Sequence, residues 1–277
     1  MLRRTLLVLV PLLVLLIAAA SVAQYRRGRR EFDPSQMDRG GVPEWKNDER
    51  FKDDVFTFAR VRYSSYGRGG YGYRSGGRWA TDYPDADLNF SYRLQQLTSI
   101  ETDPNGKVLE LTDEGIFDYP LLYLIEPGDM YLEDAEVANL RKYCLNGGFL
   151  CVDDFWGERE WANYYENMKR VFPEREPVEL PLEHEIFHCV YPLSKKPQVP
   201  SIHAWYSGHT SERHDAQEAH YRAIFDDKGR MMVLACHNTD LGDGWEREGV
   251  DPGYFKEMSE KWSYPLGINI LVYAMTH

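Results

Sequence analysis

Three observations predict an α/β fold on a mainly parallel sheet. Pro120 to Glu126 (PLLYLIE) is continuously apolar, as expected of a strand covered on both faces. Phe149 to Asp154 forms a second such strand after Gly147 and Gly148, with two carboxylates at its exit. Around these runs the apolar residues recur at helical spacing. Strand and helix therefore alternate, and right-handed crossovers between parallel strands produce that rhythm.

The first strand is Val55 to Tyr63 (VFTFARVRY), which alternates and is rich in β-formers. Ser64 to Arg78, built from Gly, Tyr, Ser and Arg, looks like an Arg-Gly-Gly RNA-binding segment. In an acidic chain, a long loop over the strand end is the stronger reading. Pro84 to Ser99 is predicted helical: Ala86, Phe90, Leu94 and Leu97 share a face, and Asp85 and Asp87 suit the first-turn dipole. Lys107 to Leu111 is a short strand. Leu132 to Asn146 is a helix opened by Glu133, Asp134 and Glu136 and stopped by Gly147. Trp161, Tyr165, Met168 and Phe172 mark another, ended by Pro173. Tyr221 to Phe225 and Arg230 to His237 flank Asp226-Asp227-Lys228-Gly229, a β-hairpin added in the C-terminal half. Pro265 to Thr276 is apolar nearly all round and reads as a buried closing helix.

The 277 residues suit one large domain with an N-terminal appendage. Residues 1–23 read as a signal peptide, 24–52 as a polar linker and 53–277 as the α/β domain. Arg3 and Arg4 precede an apolar run, Leu6 to Ala23, that ends on Ser21 and Ala23 in the small-x-small pattern of signal peptidase. The competing reading is a retained membrane anchor over residues 6–23. The small residues and Pro11 favour cleavage after Ala23. Either way the domain is exported, to the periplasm or outside. Arg26, Arg27, Arg29 and Arg30 follow at once and suit contact with anionic lipid. A net charge of −12 argues against nucleic-acid binding, and a mean hydropathy of −0.54 excludes a polytopic membrane protein. Cys144, Cys151, Cys189 and Cys236 are widely spaced with no CxxC. They form neither a disulfide framework nor a zinc ribbon, and buried thiols are the simplest account.

Four separated motifs carry a resemblance. They are Trp79-Ala80-Thr81-Asp82-Tyr83-Pro84-Asp85-Ala86-Asp87; Gly147-Gly148-Phe149-Leu150 running into Asp153-Asp154-Phe155-Trp156-Gly157; Asn238-Thr239-Asp240-Leu241-Gly242-Asp243 with Trp245-Glu246; and Gly267-Ile268-Asn269. Over residues 53 to 277 the chain resembles the domain of unknown function 4159 family of exported and membrane-attached bacterial proteins. That resemblance implies a three-layer α/β sandwich similar to class I glutamine amidotransferases, and no established activity. Glutaminases need a Cys on the sharp turn after a strand, with a His-Glu pair supplied later. Here the turn offers Asp154-Phe155-Trp156-Gly157, while Cys151 lies earlier, within the strand. Glutamine hydrolysis through Cys151 is therefore not expected.

Ligands of parallel α/β sheets bind beyond the carboxyl ends of the strands. Three acidic stretches should emerge there: Asp82 to Asp87, Asp153-Asp154, and Asp240 to Glu246. Carboxylates gathered without cations repel. Convergence calls for a divalent metal, a partner such as Arg60, Arg62 or Arg78, or shifted pKa values. Asp153 and Asp154 are the candidate catalytic pair. Trp79, Asp82, Asp85, Trp156, Asn238, Asp240, Asp243 and Glu246 are the candidate ligand-binding residues. Each Asp also has a plain structural role open to it, as a helix cap or turn former.

His184-Glu185-Ile186-Phe187-His188 matches H-E-x-x-H. On a helix this places two imidazoles on one face for zinc, with Glu185 as general base. Pro181 and Pro192 leave a run of about three turns at most, and no third ligand stands at a familiar spacing. The alternative is one His bonded in the core and one facing the cleft. His209, His214 and His220 fall in or beside a polar stretch, Ser207 to Ala219, that reads as a surface loop.

Two functions follow. The first is an exported module that binds a ligand or partner in an envelope-associated assembly, without glutaminase chemistry. The second is a hydrolase of envelope glycan or peptide, working through the acidic cluster and zinc-dependent if His184 and His188 bind metal.

Overall fold

The computed structural model describes residues 38–51, 54–65 and 77–277. The leader or anchor at 6–23, the Arg26 to Arg30 segment and most of the Gly-Tyr-Arg loop lie outside these residues. Residues Arg39–His277 form one compact unit.

A seven-stranded sheet runs through it in the order β3 (Lys107–Glu110), β1 (Ala59–Arg62), β4 (Leu121–Ile125), β6 (Phe149–Phe155), β9 (Met231–His237), β8 (His220–Phe225), β7 (Val178–Glu179). The first five are parallel. β8 and β7 extend the sheet antiparallel, with the expected hairpin joining β8 to β9. A small second sheet pairs β2 (Ser64–Ser65) with β5 (Met130–Tyr131).

Besides the short α4 (Ile202–Tyr206) and α6 (Pro252–Tyr254), helices cover both faces. α1 (Asp85–Leu97), α5 (Leu241–Glu246) and α7 (Tyr264–Thr276) pack on one, in a core with Phe58, Tyr123 and Cys151. α2 (Asp134–Leu145) and α3 (Gly157–Val171) pack on the other, with Val61, Leu122 and Val152. The alternation of β6 explains this division: Phe149 and Cys151 enter the first core, Leu150 and Val152 the second. A strand covered on both sides is apolar along its covered length, which is why β4 and the Phe149 to Val152 part of β6 lack an amphipathic pattern.

Some elements depart from sequence expectation. Extended pairing in the first strand is confined to Ala59–Arg62, with Phe56 making a lone bridge to Thr102. Residues 39–47, expected within the linker, are bonded to the domain. Arg39 donates to Asn105 Oδ1 at 2.9 Å, and Trp45 Nε1 donates to the Thr102 carbonyl at 2.7 Å. A nine-residue π-helical segment, Phe255–Ser263, to which the sequence reading assigns no element, runs directly into α7.

Among the parallel strands, the chain steps from β1 outward to β3, then returns to β4 on the other side of β1. The connections therefore diverge between β1 and β4. Open α/β sheets bind ligands beyond the carboxyl ends of the strands at such a point.

Candidate functional site: a carboxylate crevice at the strand ends

Among the described residues, four non-glycine residues adopt left-handed backbone conformations, and these four belong to connections at this edge. They are Asp82 (φ 60°) in the loop after β1, Glu126 (φ 51°) after β4, Asp154 (φ 52°) in the last turn of β6, and Asn238 (φ 62°) after β9. Such conformations are disfavoured for side-chain-bearing residues and persist where the surroundings impose them. At Asp154 the effect on direction is plain. The β6–β9 register shifts between Val152 and Phe155, and Phe155, not Asp154, continues the buried row of Leu150 and Val152. Asp154 is thereby released from the sheet alternation and turned to the strand end. Its Oδ1 accepts from Trp156 Nε1 at 2.9 Å.

Asp82, Asp154 and Asp240 come together there, with one carboxylate oxygen of each within 4.8 Å of the others. Asp240 caps α5, its Oδ1 accepting from Asp243 N at 2.7 Å. Asp82, Asp243 and Glu246 form a second such group that shares Asp82. Arg247 supplies charge to that second group, 3.3 Å from Asp243 Oδ1 and 2.7 Å from Glu246 Oε2.

The basic partners expected for the first group are engaged elsewhere. Arg60, fully buried, holds Asp87, and it donates to the carbonyls of Trp79 at 3.1 Å and Thr81 at 3.0 Å. Arg78 pairs with Glu126 and, at 3.0 Å, with Asp129. Arg62 pairs with Glu110. Among the described residues no salt bridge reaches Asp82, Asp154 or Asp240. Their carboxyls lie well above the usual carboxylate range. Burial is the main cause for each; Glu246 and Asp243 add to it at Asp82, Glu126 and Glu212 at Asp154, and Asp154 and Asp82 at Asp240. Glu246 is pushed up to about 7 by burial, with Arg247 opposing.

Asp153 has a different place from its neighbour. It is fully buried, and its Oδ2 accepts from Tyr123 Oη at 2.7 Å, Leu241 N at 2.9 Å and Gly242 N at 3.1 Å. It ties β4 and β6 to the start of α5. Burial raises it to about 7 in spite of these donors. Asn238 is also committed to the backbone, accepting from Gly157 N and donating to the Glu218 carbonyl. Trp156 is buried against Asp154. Trp79 is half-buried beside Tyr83, and Asp85 sits in the first turn of α1. Sequence reasoning missed Glu126 and Arg247. Glu126 was findable, since it ends a buried parallel strand as Asp153 nearly does.

The H-E-x-x-H residues fold as a single 3-10 turn, Glu185–Phe187, not as an α-helix. His184 Nδ1 accepts from Ile186 N, His188 Nε2 meets the Leu182 carbonyl at 2.7 Å, and Glu185 faces His277. Among the described residues these two His belong to no group of three metal-ligating side chains. All four cysteines are free, and Cys151 lies in the core, 2% exposed.

Fold and site together define a mixed α/β domain, mostly parallel, with an acid-rich cluster at the carboxyl ends of its parallel strands. The profile of the family "Domain of unknown function (DUF4159)" matches residues 57–275, and the chain belongs to that family. A comparison with curated proteins finds no match.

Proposed function

We propose that the protein is an exported ligand-binding domain whose site is the carboxylate crevice, working without thiol chemistry in an envelope-associated assembly. The observation that carries this reading is the exchange of roles at the end of β6. Asp154 takes a left-handed φ at the end of β6, the place from which the resemblance to glutamine amidotransferases leads one to expect a nucleophile, while Cys151 packs in the core. A crevice with surplus carboxylates selects ligands that bring positive charge or hydrogen-bond donors. The leader-like segment at 6–23 supports export, and among the described residues no helix is long and apolar enough to cross a membrane.

The test presents the full chain to soluble envelope glycan and peptide fragments by calorimetry, beside a glutaminase assay. The expected result is fragment binding that Asp82→Asn and Glu126→Gln weaken at least tenfold, with no ammonia release from glutamine. Binding indifferent to both substitutions, or ammonia release that Cys151→Ser abolishes, overturns the reading. Fragment cleavage lost in Asp154→Asn establishes a hydrolase in its place. N-terminal sequencing of the exported protein tests processing: a start at Gln24 supports cleavage, and a start at Met1 supports an anchor.

A further inference from the structure

We propose that Asp82, Asp154 and Asp240 hold one hard divalent cation of the calcium, magnesium or manganese class. This deepens the reading of the crevice as a ligand site and rests on it.

The three side chains come from three separate connections, after β1, at the end of β6 and after β9, yet an oxygen of each falls within 4.8 Å of the others. Each carboxylate has been only partly spent. Asp154 uses Oδ1 on Trp156, and Asp240 uses Oδ1 on the α5 backbone. Asp82 gives the independent sign of a missing ligand. Its Oδ2 is sealed from solvent and meets no N–H or hydroxyl donor among the described residues; the carboxyl group hydrogen-bonds with another carboxyl, Glu246, which leaves the pair short of a proton or a cation. A buried carboxylate oxygen with no donor is unfavourable unless a proton or a cation meets it. The fold makes room for this oxygen: a Cβ on Gly242 would stand 2.6 Å from it.

Charge distinguishes this group from its neighbour. The Asp82–Asp243–Glu246 group already has Arg247. The Asp82–Asp154–Asp240 group has no salt-bridged cation among the described residues, although Arg60 and Arg78 lie near and are held by Asp87 and Glu126. Those pairings keep both guanidinium groups occupied and leave the space between the three carboxylates to a small cation. The donors are all carboxylate oxygens, which suit calcium, magnesium and manganese; zinc and copper favour imidazole and thiolate. With three protein ligands, such an ion keeps open positions for water or for hydroxyl and carboxylate groups of a bound fragment.

The experiment uses the full chain, stripped with EDTA and dialysed. It is titrated with CaCl2, MgCl2, MnCl2 and ZnCl2 by calorimetry, with thermal melts in parallel. The expected result is one site per chain for at least one of the first three ions, and a higher Tm that EDTA reverses. Asp154→Asn and Asp240→Asn should weaken binding at least tenfold. Their metal-free Tm should equal or exceed that of the wild type, because an amide still accepts the local hydrogen bond and one like charge is gone. That melt separates lost binding from lost folding. Asp227→Asn, in the hairpin turn between β8 and β9, should bind as the wild type. Absence of binding by calcium, magnesium and manganese at millimolar concentration overturns the proposal, as does unchanged affinity in both crevice variants or a site that takes zinc alone. Repeating the fragment titration in EDTA keeps the two readings apart. Fragment binding at the crevice without any metal site sinks the cation and spares the ligand-binding reading; a metal site with no fragment bound does the reverse.

Discussion

Asp82 Oδ2 occupies the place where a side chain on Gly242 would begin: a Cβ there would lie 2.6 Å from it and 3.0 Å from Tyr123 Oη. The bare backbone of α5 at Gly242 thus lets Asp82 approach the strand ends. Gly242→Ala should push Asp82 out of the crevice and weaken divalent-ion binding at least tenfold. The stability loss should be about 1–3 kcal/mol, typical of overpacking. Gly115→Ala, where a new Cβ meets only Asp118 Oδ2 at 3.9 Å, should change neither property. Calorimetry and melts on the two variants check this, and undiminished ion binding in Gly242→Ala would count against the close approach.

Arg60 and Asp87 form a buried pair, 0% and 2% exposed, with Arg60 Nε 3.0 Å from both carboxylate oxygens. Arg60 also holds the carbonyls of Trp79 and Thr81, the residues leading to Asp82. Removing one partner leaves a buried charge alone, so Asp87→Ala should destabilise by about 3–5 kcal/mol in denaturant titrations. The double variant Arg60→Met/Asp87→Leu should recover much of that loss, because no charge stays buried. It should still bind ligand poorly, since neither carbonyl regains its donor. Full recovery of binding would separate the Trp79–Thr81 segment from the site.

Much of this was legible in the sequence because burial on two faces imposes a pattern local to each strand. β4, β6, α1, α2 and α7 lie close to where apolar run or helical periodicity placed them. The edge strand β7 is fixed by tertiary pairing, which two residues do not encode. The acidic stretches were visible, and so was their arrival at the strand ends. The division of labour within them was not. Asp153 and Asp154 are adjacent and chemically identical, yet a left-handed φ at 154 sends one to the crevice and leaves the other bonding α5. A motif read only as letters likewise promised a helix at His184–His188, where the backbone makes a single 3-10 turn with the His184 side chain as its cap.

Cys151 tests the claim that the thiol is structural. It is 2% exposed and packs with Phe58, Tyr123 and Trp245, and it touches Cys236, whose own thiol burial drives well above its usual range. Cys151→Ser should lower stability by about 1–2 kcal/mol, because a hydroxyl among those apolar side chains finds only the weakly accepting Cys236 sulfur. Fragment and ion binding should be unchanged in the folded variant. A folded Cys151→Ser protein that loses binding would bring the thiol back into the mechanism.

His237 sets an acid limit on stability. It closes β9, is 1% exposed, and stacks on Phe155, with centroids 4.9 Å apart, and beside Trp161. Its Nε2 meets the Gly157 carbonyl at 3.1 Å and its Nδ1 faces the Arg222 guanidinium at 3.0 Å. Burial is the main force lowering its pKa to about 4; Arg222 and His220 act the same way, while the Gly157 carbonyl and Glu179 oppose them. The unfolded chain therefore binds this proton more readily than the folded one between about pH 6.5 and pH 4. Stability from His237 is fully present above pH 6.5 and is lost as pH falls through that window, by on the order of 3 kcal/mol in all. The crevice carboxyls, raised in the fold, act with the opposite sign, so the His237 share is read as a difference. Wild type and His237→Phe, which keeps the ring stack, should be compared in denaturant titrations from pH 4 to 8 in EDTA. The wild type should lose stability relative to the variant as pH falls from 6.5 to 4, and the gap should be constant above 7. A gap that stays constant across the whole range would mean that His237 takes up its proton without strain in the folded state.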